Sequence, residues 1–207
     1  HYVESLLHPF VADVAEDGTI NAGEDILKDE PFECPMAPFG GIEQLAWSPD
    51  SKTIAYTCRK KECVQYAIST DSDIYLYNIG TRETKNLCKE AGYVEPKIDA
   101  TKSMKNQAVN APENLKNNPG YDVNPQFSAD GKYIAWQSMA RDGYESDRNR
   151  LCVYELATGK KNYVSEKFDS SVEGFVWNKD NKSLSFIGVW HGTLNLYQAN
   201  FKGEVKQ

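Results

Sequence analysis

Three stretches of this sequence follow one pattern, which constrains the fold more than any other feature. Each has an aromatic residue at the end of an apolar run, a four-residue turn with Asp in third place, then Lys and a second apolar run. The copies cover residues 47–56, 127–136 and 177–186. Pro, Asp, Asn and Gly favour tight turns at such positions, because they preset the backbone or bond to it. The pattern therefore predicts three β-hairpins built from one repeating unit.

The repeat extends from a hairpin to a small sheet. Further strand-like runs follow each hairpin, so each copy predicts a four-stranded antiparallel sheet, over residues 42–88, 122–166 and 171–207. The inner strands, such as Ile54–Tyr56 and Ile74–Tyr77, are continuously apolar. In a sheet with one solvent-exposed face, apolar and polar residues alternate along each strand. A small sheet that is covered on both faces is a blade of a β-propeller. We therefore predict an all-β fold, a partial β-propeller of about three to four four-stranded blades.

The remaining segments complete this layout. Residues 6–32 fit the outer half of a further blade, and the crossover at 33–41 is too rich in Pro and Gly for regular structure. Residues 89–119 are rich in Asn, Lys, Ala and Pro, and we predict that they form a mobile insertion between blades. Because a propeller needs about four to eight blades, we expect a fragment of a larger one. Its open ends would expose apolar faces and favour association, including homo-oligomers through exposed blade edges.

Composition excludes two kinds of partner. The chain has 207 residues and a formal charge of -7, which argues against nucleic-acid binding because that rests on clustered Lys and Arg. No apolar run approaches the length of a membrane helix. The first residues, His1–Ser5, lack the basic and apolar parts of a signal peptide and an initiator Met. We therefore expect a mature or truncated piece, with no nucleic-acid partner and no membrane span.

The cysteines do not suggest a metal site. They are odd in number and contain no Cys-x-x-Cys pair, whereas zinc needs closer pairing with Cys or His. We expect no metal and no cofactor. Cys58 and Cys63 can close a small disulfide in an oxidising compartment, and buried or loosely exposed thiols are the alternative. The five positions are Cys34, Cys58, Cys63, Cys88 and Cys152.

Three further stretches narrow the interpretation, at residues 33–41, 69–75 and 139–148. The last contains Arg-x-Gly-Tyr-Glu-x-Asp-Arg, a fairly specific sequence. Together with the hairpins, these stretches resemble TolB-type propellers and the propellers of the prolyl oligopeptidase (S9) family of serine peptidases. Within that family the chain is most similar to bacterial dipeptidyl-peptidases and their acylaminoacyl-peptidase relatives. The similarity covers roughly residues 8–207, apart from the insertion.

The resemblance implies a propeller that precedes an α/β-hydrolase domain with a Ser-Asp-His triad and restricts the substrates to peptides. It also implies a periplasmic or secreted enzyme. This chain contains no Gly-x-Ser-x-Gly nucleophile elbow, so we expect no catalysis by it alone. The hydrolase domain and the missing blades are then its partners in a parent polypeptide. Without a nucleophile to serve, His1, His8 and His191 are not expected to act as general bases.

The topology also places the loops. Connections within a blade alternate between two faces, so the short hairpins share one face and the middle loops, at 60–72 and 140–150, share the other. The blade crossovers at 33–41 and 89–121 lie with the middle loops. We expect this richer face to be turned to the catalytic partner. In the short hairpins, Asp50, Asp130 and Asp180 are interpreted as turn formers.

A dipeptidyl peptidase must hold a free α-ammonium two residues from the scissile bond, which a partly desolvated carboxylate does best. By resemblance and by chemistry, Glu145 is the candidate anchor, with Arg141, Tyr144 and Arg148 as further substrate-binding residues. The alternative is that Glu145 and Asp147 pair with the two arginines in a network that only shapes the loop.

Two function classes follow from these observations. The first is a substrate-gating and substrate-orienting propeller of a secreted serine exopeptidase that releases dipeptides from the N-termini of peptides. The second is a stand-alone TolB-like propeller that acts as a protein-binding module. A third class, the propeller glycosidases, needs an acid-rich centre that the sequence does not place.

Overall fold

A computed structural model describes residues 5–38 and 40–207 of the chain. Its strands form three four-stranded antiparallel sheets and one two-stranded ribbon. The predicted fold class, an all-β partial propeller of four-stranded blades, is confirmed. His1 and Phe39, the latter within the predicted crossover, lie outside the described residues. Among the described residues, no helix is long and apolar enough to cross a membrane.

The strands follow one another in up-and-down order within each sheet. The ribbon contains β1 (Phe10–Val11) and β2 (Glu24–Asp25); blade 1 contains β3 (Leu45–Trp47), β4 (Thr53–Cys58), β5 (Asp73–Asn78) and β6 (Thr84–Asn86); blade 2 contains β7 (Asp122–Phe127), β8 (Tyr133–Ser138), β9 (Arg150–Glu155) and β10 (Lys161–Tyr163); blade 3 contains β11 (Val172–Trp177), β12 (Ser183–Trp190), β13 (Thr193–Asn200) and β14 (Val205–Lys206).

The first hairpin of each blade is closed by its aspartate. Asp50 Oδ1 accepts hydrogen bonds from Ser48 Oγ at 2.7 Å and from the Lys52 amide at 3.1 Å. Asp130 receives the equivalent pair of bonds, at 2.6 and 3.1 Å. Asp180 accepts from the Lys182 amide at 2.9 Å. These contacts are the Asx-type turn bonds that the sequence predicts, so the three aspartates act as turn formers.

The central strands send alternate side chains to different neighbours, which is how the blades stack. In β8, Ile134 and Trp136 pack in a cluster with Ile74 of blade 1, whereas Ala135 between them packs with Phe186 of blade 3. Because successive side chains of a strand point to opposite faces, one strand thereby serves two interfaces. Each full blade is therefore covered by the one before it, and the ribbon covers blade 1 through Ile26 and Leu27.

No element within residues 5–38 and 40–207 forms a blade against the outer face of blade 3. The alternate row of β12 and β13 that points away from blade 2 is exposed, and it is apolar. Ile187 lies opposite Leu196 and Val189 lies opposite Leu194, so the four side chains form one patch. The corresponding face of blade 2, which includes Ala135, is covered by blade 3. The patch is thus a blade face without its neighbour, as the sequence predicts for an open arc.

Two segments have more structure than the sequence predicts. The middle loop of blade 1 contains a short helix, α1 (Cys63–Ile68). The insertion contains three 3-10 helical turns, at Met104–Asn106, Ala108–Asn110 and Pro112–Asn117, and the side chains of Ile98 and Val109 within it are buried. Its predicted mobility stays a prediction. A further 3-10 turn, Ile42–Gln44, leads into blade 1.

The five thiols are free, so of the two alternatives for Cys58 and Cys63 the structure has the unpaired one. Cys63 is exposed at the start of α1, whereas the other four are buried. Cys58 lies in β4, and its thiol donates to the carbonyl oxygen of Glu33 at 3.4 Å. Burial raises the pKa of the Cys34 thiol to about 12 and that of Cys58 further still, so both behave as apolar core residues.

Candidate functional site

The middle loops of blades 1 and 2 meet on one face of the molecule, and the insertion lies against both. Ser69 of the first loop donates through its hydroxyl to Asp142 of the second at 2.8 Å. Gln65 of the first loop donates to the carbonyl oxygen of Ile98 in the insertion at 3.0 Å. Asn110 of the insertion donates to the carbonyl oxygen of Asp142 at 3.1 Å. We call this surface the loop face.

The loop between β8 and β9 is closed by one ion pair. Arg141 Nη2 lies 2.9 Å from Asp147 Oδ1, and Arg141 Nε donates to Asp147 Oδ2 at 3.2 Å. Asp147 also accepts from the amides of Ala140 and Arg141. Burial alone would raise the pKa of Asp147, but these bonds outweigh it and the pKa is lowered. Arg141 also stacks over the ring of Tyr144, 4.4 Å from its centroid, so the loop has a fixed shape.

Glu145 and Arg148 are not part of that ion pair. Glu145 is exposed at the tip of the loop, and its carboxylate has no hydrogen bond or ion pair with any described residue. Arg148 instead lies 3.1 Å from Glu166 and also donates to the carbonyl oxygen of Phe168. The alternative four-residue network therefore exists only as the pair of Arg141 with Asp147. The substrate-binding role of Glu145, Arg141, Tyr144 and Arg148 stays a prediction.

A buried charged cluster lies beside blade 1, and the sequence analysis did not identify it. The ammonium of Lys89 lies 2.8 Å from Asp71 Oδ1 and 3.2 Å from Asp73 Oδ1. The ammonium of Lys61 contacts Asp71 Oδ2 at 2.8 Å and also the carboxylate of Glu95. The side chain of Lys89 is only 8% exposed. Lysine is almost never buried without a partner, so these five side chains form one unit, the charged cluster.

The charged cluster lines a cleft of about 510 Å³ where β5 begins and β6 ends. It joins the first residues of the insertion to the middle loop of blade 1, because Lys89 and Glu95 lie in the former and Lys61 and Asp71 in or beside the latter. Asp71 and Asp73 stand directly before the apolar run of β5. Acidic residues that enter a buried strand need cationic partners, and this was the signal that the sequence offered.

The cluster contains three carboxylates and two ammonium groups, and it therefore favours a bound proton. Burial, and next the hydrogen bond with Asp71, raise the pKa of Glu95 to about 7. Burial lowers the pKa of Lys89, but Asp71 and Asp73 outweigh this and the pKa is raised well above the usual value. Glu95 therefore gains a proton at a higher pH than an ordinary glutamate does.

Within the part of the chain that the structure describes, two groups of side chains have the composition of metal ligands. The first is Asp71, Asp73 and Glu95; the second is Asp73, Cys88 and Asp122. In the first group all three carboxylates already contact the ammonium groups of Lys61 and Lys89. In the second, Asp122 accepts from the indole nitrogen of Trp136 at 2.6 Å and Cys88 accepts from the Ile74 amide at 3.2 Å. The donor atoms of both groups are therefore committed within the protein, and we assign neither to a metal.

The described histidines take no part in the loop contacts given above. His8 Nδ1 is 2.8 Å from Asp25 Oδ2 beside the ribbon. His191 occupies the two-residue turn between β12 and β13, where its φ is 49° and that of Gly192 is 77°. A turn with two positive φ angles matches the twist of a hairpin. Local structure therefore explains both positions: a hydrogen bond to Asp25 for His8 and a hairpin turn for His191.

We expect two carboxyl groups, those of Glu95 in the charged cluster and of Asp122, to make folding pH-dependent. The folded-state pKa of Glu95 (about 7) and of buried Asp122 (about 6) lie above their usual values of 4.5 and 3.8. The folded state therefore binds these protons more tightly, so the free energy of unfolding should fall as the pH rises from about 4 to about 7. Urea denaturation across this range should show the fall, and Glu95→Gln should make it shallower. The exposed Glu113→Gln is the matched control, and an unchanged slope in Glu95→Gln would contradict the assignment.

Comparison with known proteins agrees with this architecture. No family model matches the chain. Dipeptidyl-peptidase 5 of Porphyromonas gingivalis is 42% identical over 207 residues, which is 100% of this chain and 26% of that protein. Dipeptidyl-peptidase 5 of Porphyromonas endodontalis is 40% identical over 203 residues, 98% of this chain and 25% of that protein. The chain thus spans about a quarter of the length of these relatives.

Among solved structures, TolB from Acinetobacter baumannii matches with a TM-score of 0.52 and 17% identity, over 96% of this chain and 37% of that one. At this identity the likeness concerns the fold alone. It shows that the three blades stack as the blades of a TolB-like propeller do. Sequence and fold therefore agree that this chain is a TolB-like β-propeller segment, similar over its whole length to part of dipeptidyl-peptidase 5, and that it matches a propeller domain of the prolyl oligopeptidase (S9) type.

Proposed function

We propose that this chain is the substrate-gating and substrate-orienting propeller of a secreted or periplasmic serine exopeptidase that releases dipeptides from the N-termini of peptides. The names of its relatives and the convergence of its longer loops on one face support this function. Catalysis belongs to an α/β-hydrolase domain with a Ser-Asp-His triad elsewhere in the parent polypeptide. The chain alone does not hydrolyse peptides.

The observation that carries the proposal is the free carboxylate of Glu145. It stands on a loop of fixed shape, and no described side chain neutralises it. A carboxylate without bonded partners can accept charge-assisted hydrogen bonds from an ammonium group, and such bonds are about twice as strong as neutral ones. A domain that covers the loop face would desolvate Glu145 and strengthen this interaction. Glu145 would then fix the peptide N-terminus relative to the scissile bond.

The other three predicted residues have different roles in this proposal. Arg141 is held by Asp147 and packs on Tyr144, so these side chains form a rigid wall beside the anchor. Arg148 is tied to Glu166 beyond the loop and secures its C-terminal end. Fixed walls raise the effective concentration of a bound substrate in its reactive geometry.

Replacing Glu145 with Gln in the full-length peptidase tests the anchor. A hydrogen bond to a charged group contributes about 1.5–3 kcal/mol, so kcat/KM for dipeptidyl substrates with a free amino group should fall by roughly 10- to 100-fold, with a raised KM. The unfolding transition should not move, because the side chain is exposed. N-acylated substrates are the control, since they have no ammonium group to bind. Unchanged kinetics on free-amine substrates would remove the anchor role.

A second candidate function is a stand-alone propeller that binds a protein partner. The TolB-like fold and the open apolar face of blade 3 favour it. The gene sequence downstream of codon 207 separates the two proposals. Further blades followed by Gly-x-Ser-x-Gly favour the peptidase, whereas a stop codon favours the binding module, which would associate through its exposed blade face.

A further inference from the structure

The insertion is attached to the middle loops of both blade 1 and blade 2. At its beginning, Lys89 and Glu95 belong to the charged cluster and bind Asp71 and Lys61 of blade 1. In its second half, Asn110 is bound to Asp142 of blade 2. Between these two attachment points, the side chains of Ile98 and Val109 are buried. The insertion therefore bridges the two middle loops.

The contact of Asn110 with Asp142 is reciprocal. The Asp142 amide donates to Asn110 Oδ1 at 2.8 Å, and Asn110 Nδ2 donates to the carbonyl oxygen of Asp142 at 3.1 Å. Asn110 Nδ2 also donates to the carbonyl oxygen of Met104 at 2.9 Å, which fixes its orientation. One side chain therefore holds both backbone groups of a residue three positions before Glu145.

The same residue is bound from blade 1. The carboxylate of Asp142 is buried, and its Oδ1 accepts from the Thr70 amide at 2.6 Å and from the hydroxyl of Ser69 at 2.8 Å. The next amide, of Gly143, donates to Thr70 Oγ1 at 2.9 Å. Gly143 has a φ of 75° and packs so closely that a Cβ there would lie 2.7 Å from Met104 Cγ. The insertion and both loops thus converge immediately before Tyr144 and Glu145.

We propose that the insertion is a brace for the substrate anchor, and that Asn110 is a positioning residue which sets the place of Glu145. This inference rests on the proposed function of Glu145 as the ammonium anchor. The loop that carries Glu145 connects β8 to β9 and has no regular structure of its own. The Arg141–Asp147 pair closes the loop internally, whereas the bonds at Asp142 and Gly143 tie its first half to blade 1 and to the insertion.

The physical reason for a brace is the sensitivity of an anchor to its position. A misplacement of about 1 Å can cost roughly 100-fold in rate, because the substrate is then held outside its reactive geometry. Ordering a loop residue costs conformational entropy, and a single exposed ion pair offsets little of that cost. The buried bonds to Asp142 can offset this cost, so the insertion fixes the place of the loop relative to the blades, which the internal Arg141–Asp147 pair does not do.

The first test measures the loop directly, by hydrogen exchange in the 207-residue chain. Asn110→Ala removes two bonds to Asp142, each contributing about 1 kcal/mol, so the Gly143 and Asp147 amides should exchange roughly 5- to 30-fold faster. Those amides donate to Thr70 Oγ1 and to the Tyr144 carbonyl oxygen in the intact loop. The matched control is Asn106→Ala, an exposed asparagine of the same insertion, which should leave both rates unchanged.

The second test uses the full-length peptidase and a double-mutant cycle. Asn110→Ala should raise KM for free-amine dipeptidyl substrates by about 3- to 10-fold and leave N-acylated substrates unaffected, because the brace acts through Glu145. In the background of Glu145→Gln, the same substitution should have no further effect. A merely structural role would change both substrate classes and would add to Glu145→Gln.

The outcomes separate the brace from the anchor. If Glu145→Gln impairs free-amine substrates but Asn110→Ala changes neither exchange nor KM, the brace is wrong and the anchor stands. If Asn110→Ala is additive with Glu145→Gln, the brace is also wrong. If Glu145→Gln has no effect, the anchor fails; unchanged exchange in Asn110→Ala then overturns the brace as well, whereas faster exchange supports it as a loop brace alone.

Discussion

Replacing Lys89 with Met should lower the free energy of unfolding of the chain by about 3–5 kcal/mol, the usual cost of removing one partner of a buried ion pair. Methionine keeps the volume of the side chain but removes its charge. Asp71 and Asp73 would then remain buried with one ammonium fewer, and the carbonyl oxygen of Asn118 would lose a donor. The cost comes from the carboxylates that are left behind more than from the bonds themselves.

The pH dependence of this variant has a definite sign. Without the ammonium of Lys89, the folded-state pKa of Asp71 and Asp73 must rise, so their protonation stabilises the folded variant. The deficit relative to the original chain should therefore be largest at neutral pH and shrink as the pH falls. Urea denaturation at several pH values measures it. Lys85→Met, an exposed lysine on β6, is the matched control and should cost little; a Lys89→Met variant as stable as this control would contradict the cluster.

Phe186→Ala should lower the free energy of unfolding by about 3–5 kcal/mol, as for other large-to-small changes in a core. The side chain is 1% exposed and lies in the interface of blades 2 and 3. Its ring meets that of Phe168 edge-on at 5.1 Å and stacks on Tyr197 at 5.5 Å. A blade has no other core than such interfaces, so the loss should be felt by the whole chain.

The adjacent residue provides the control for this experiment. Ile187 is the next residue of the same strand, but its side chain belongs to the open face of blade 3 and is 44% exposed. Ile187→Ala should cost about 1 kcal/mol or less in this chain. Denaturation curves of the two variants compare the covered face with the uncovered face at one position in the sheet. Equal losses would mean that the two faces are equally covered, contrary to the structure.

The blades were predictable because their signals are local. The turn bonds of Asp50, Asp130 and Asp180 connect residues two positions apart, so composition at fixed spacing reveals them. The apolar runs of β4, β5, β8 and β9 reveal burial on both faces. Neither signal depends on knowing which distant segment supplies the neighbour. A prediction from one sequence is therefore strongest for this part of the fold.

The helix and the packed insertion were missed for the opposite reason. α1 has only six residues, and neither flanking residue caps it with its side chain, so no start or stop signal marks it. The insertion has few apolar residues and is held by polar side chains whose partners lie far away in sequence. Asn110 and Asp142 are 32 residues apart. Composition makes such a segment resemble a loop, although its polar groups are bonded.

The candidate site was predictable in outline only. Topology placed the loop of Glu145 on the face of the longer connections, and the structure brings those connections into contact. The free carboxylate of Glu145 and the diversion of Arg148 to Glu166 depend on rotamers and on a residue 18 positions away, which spacing cannot reveal. The charged cluster escaped for the same reason, since its five members lie on three separate stretches of chain.

The alternation of side chains in β8 and β12 has a consequence for how this architecture diverges. The side chains on one face of a strand pack on the preceding blade, and those on the other face pack on the following blade. The two faces of a sheet can therefore change independently. Blade 3 illustrates this: Leu184 and Phe186 pack like their counterparts in blade 2, while the opposite row and the longer β12–β13 hairpin differ. Substitutions can thus accumulate on one face of a blade while the packing on its other face is kept.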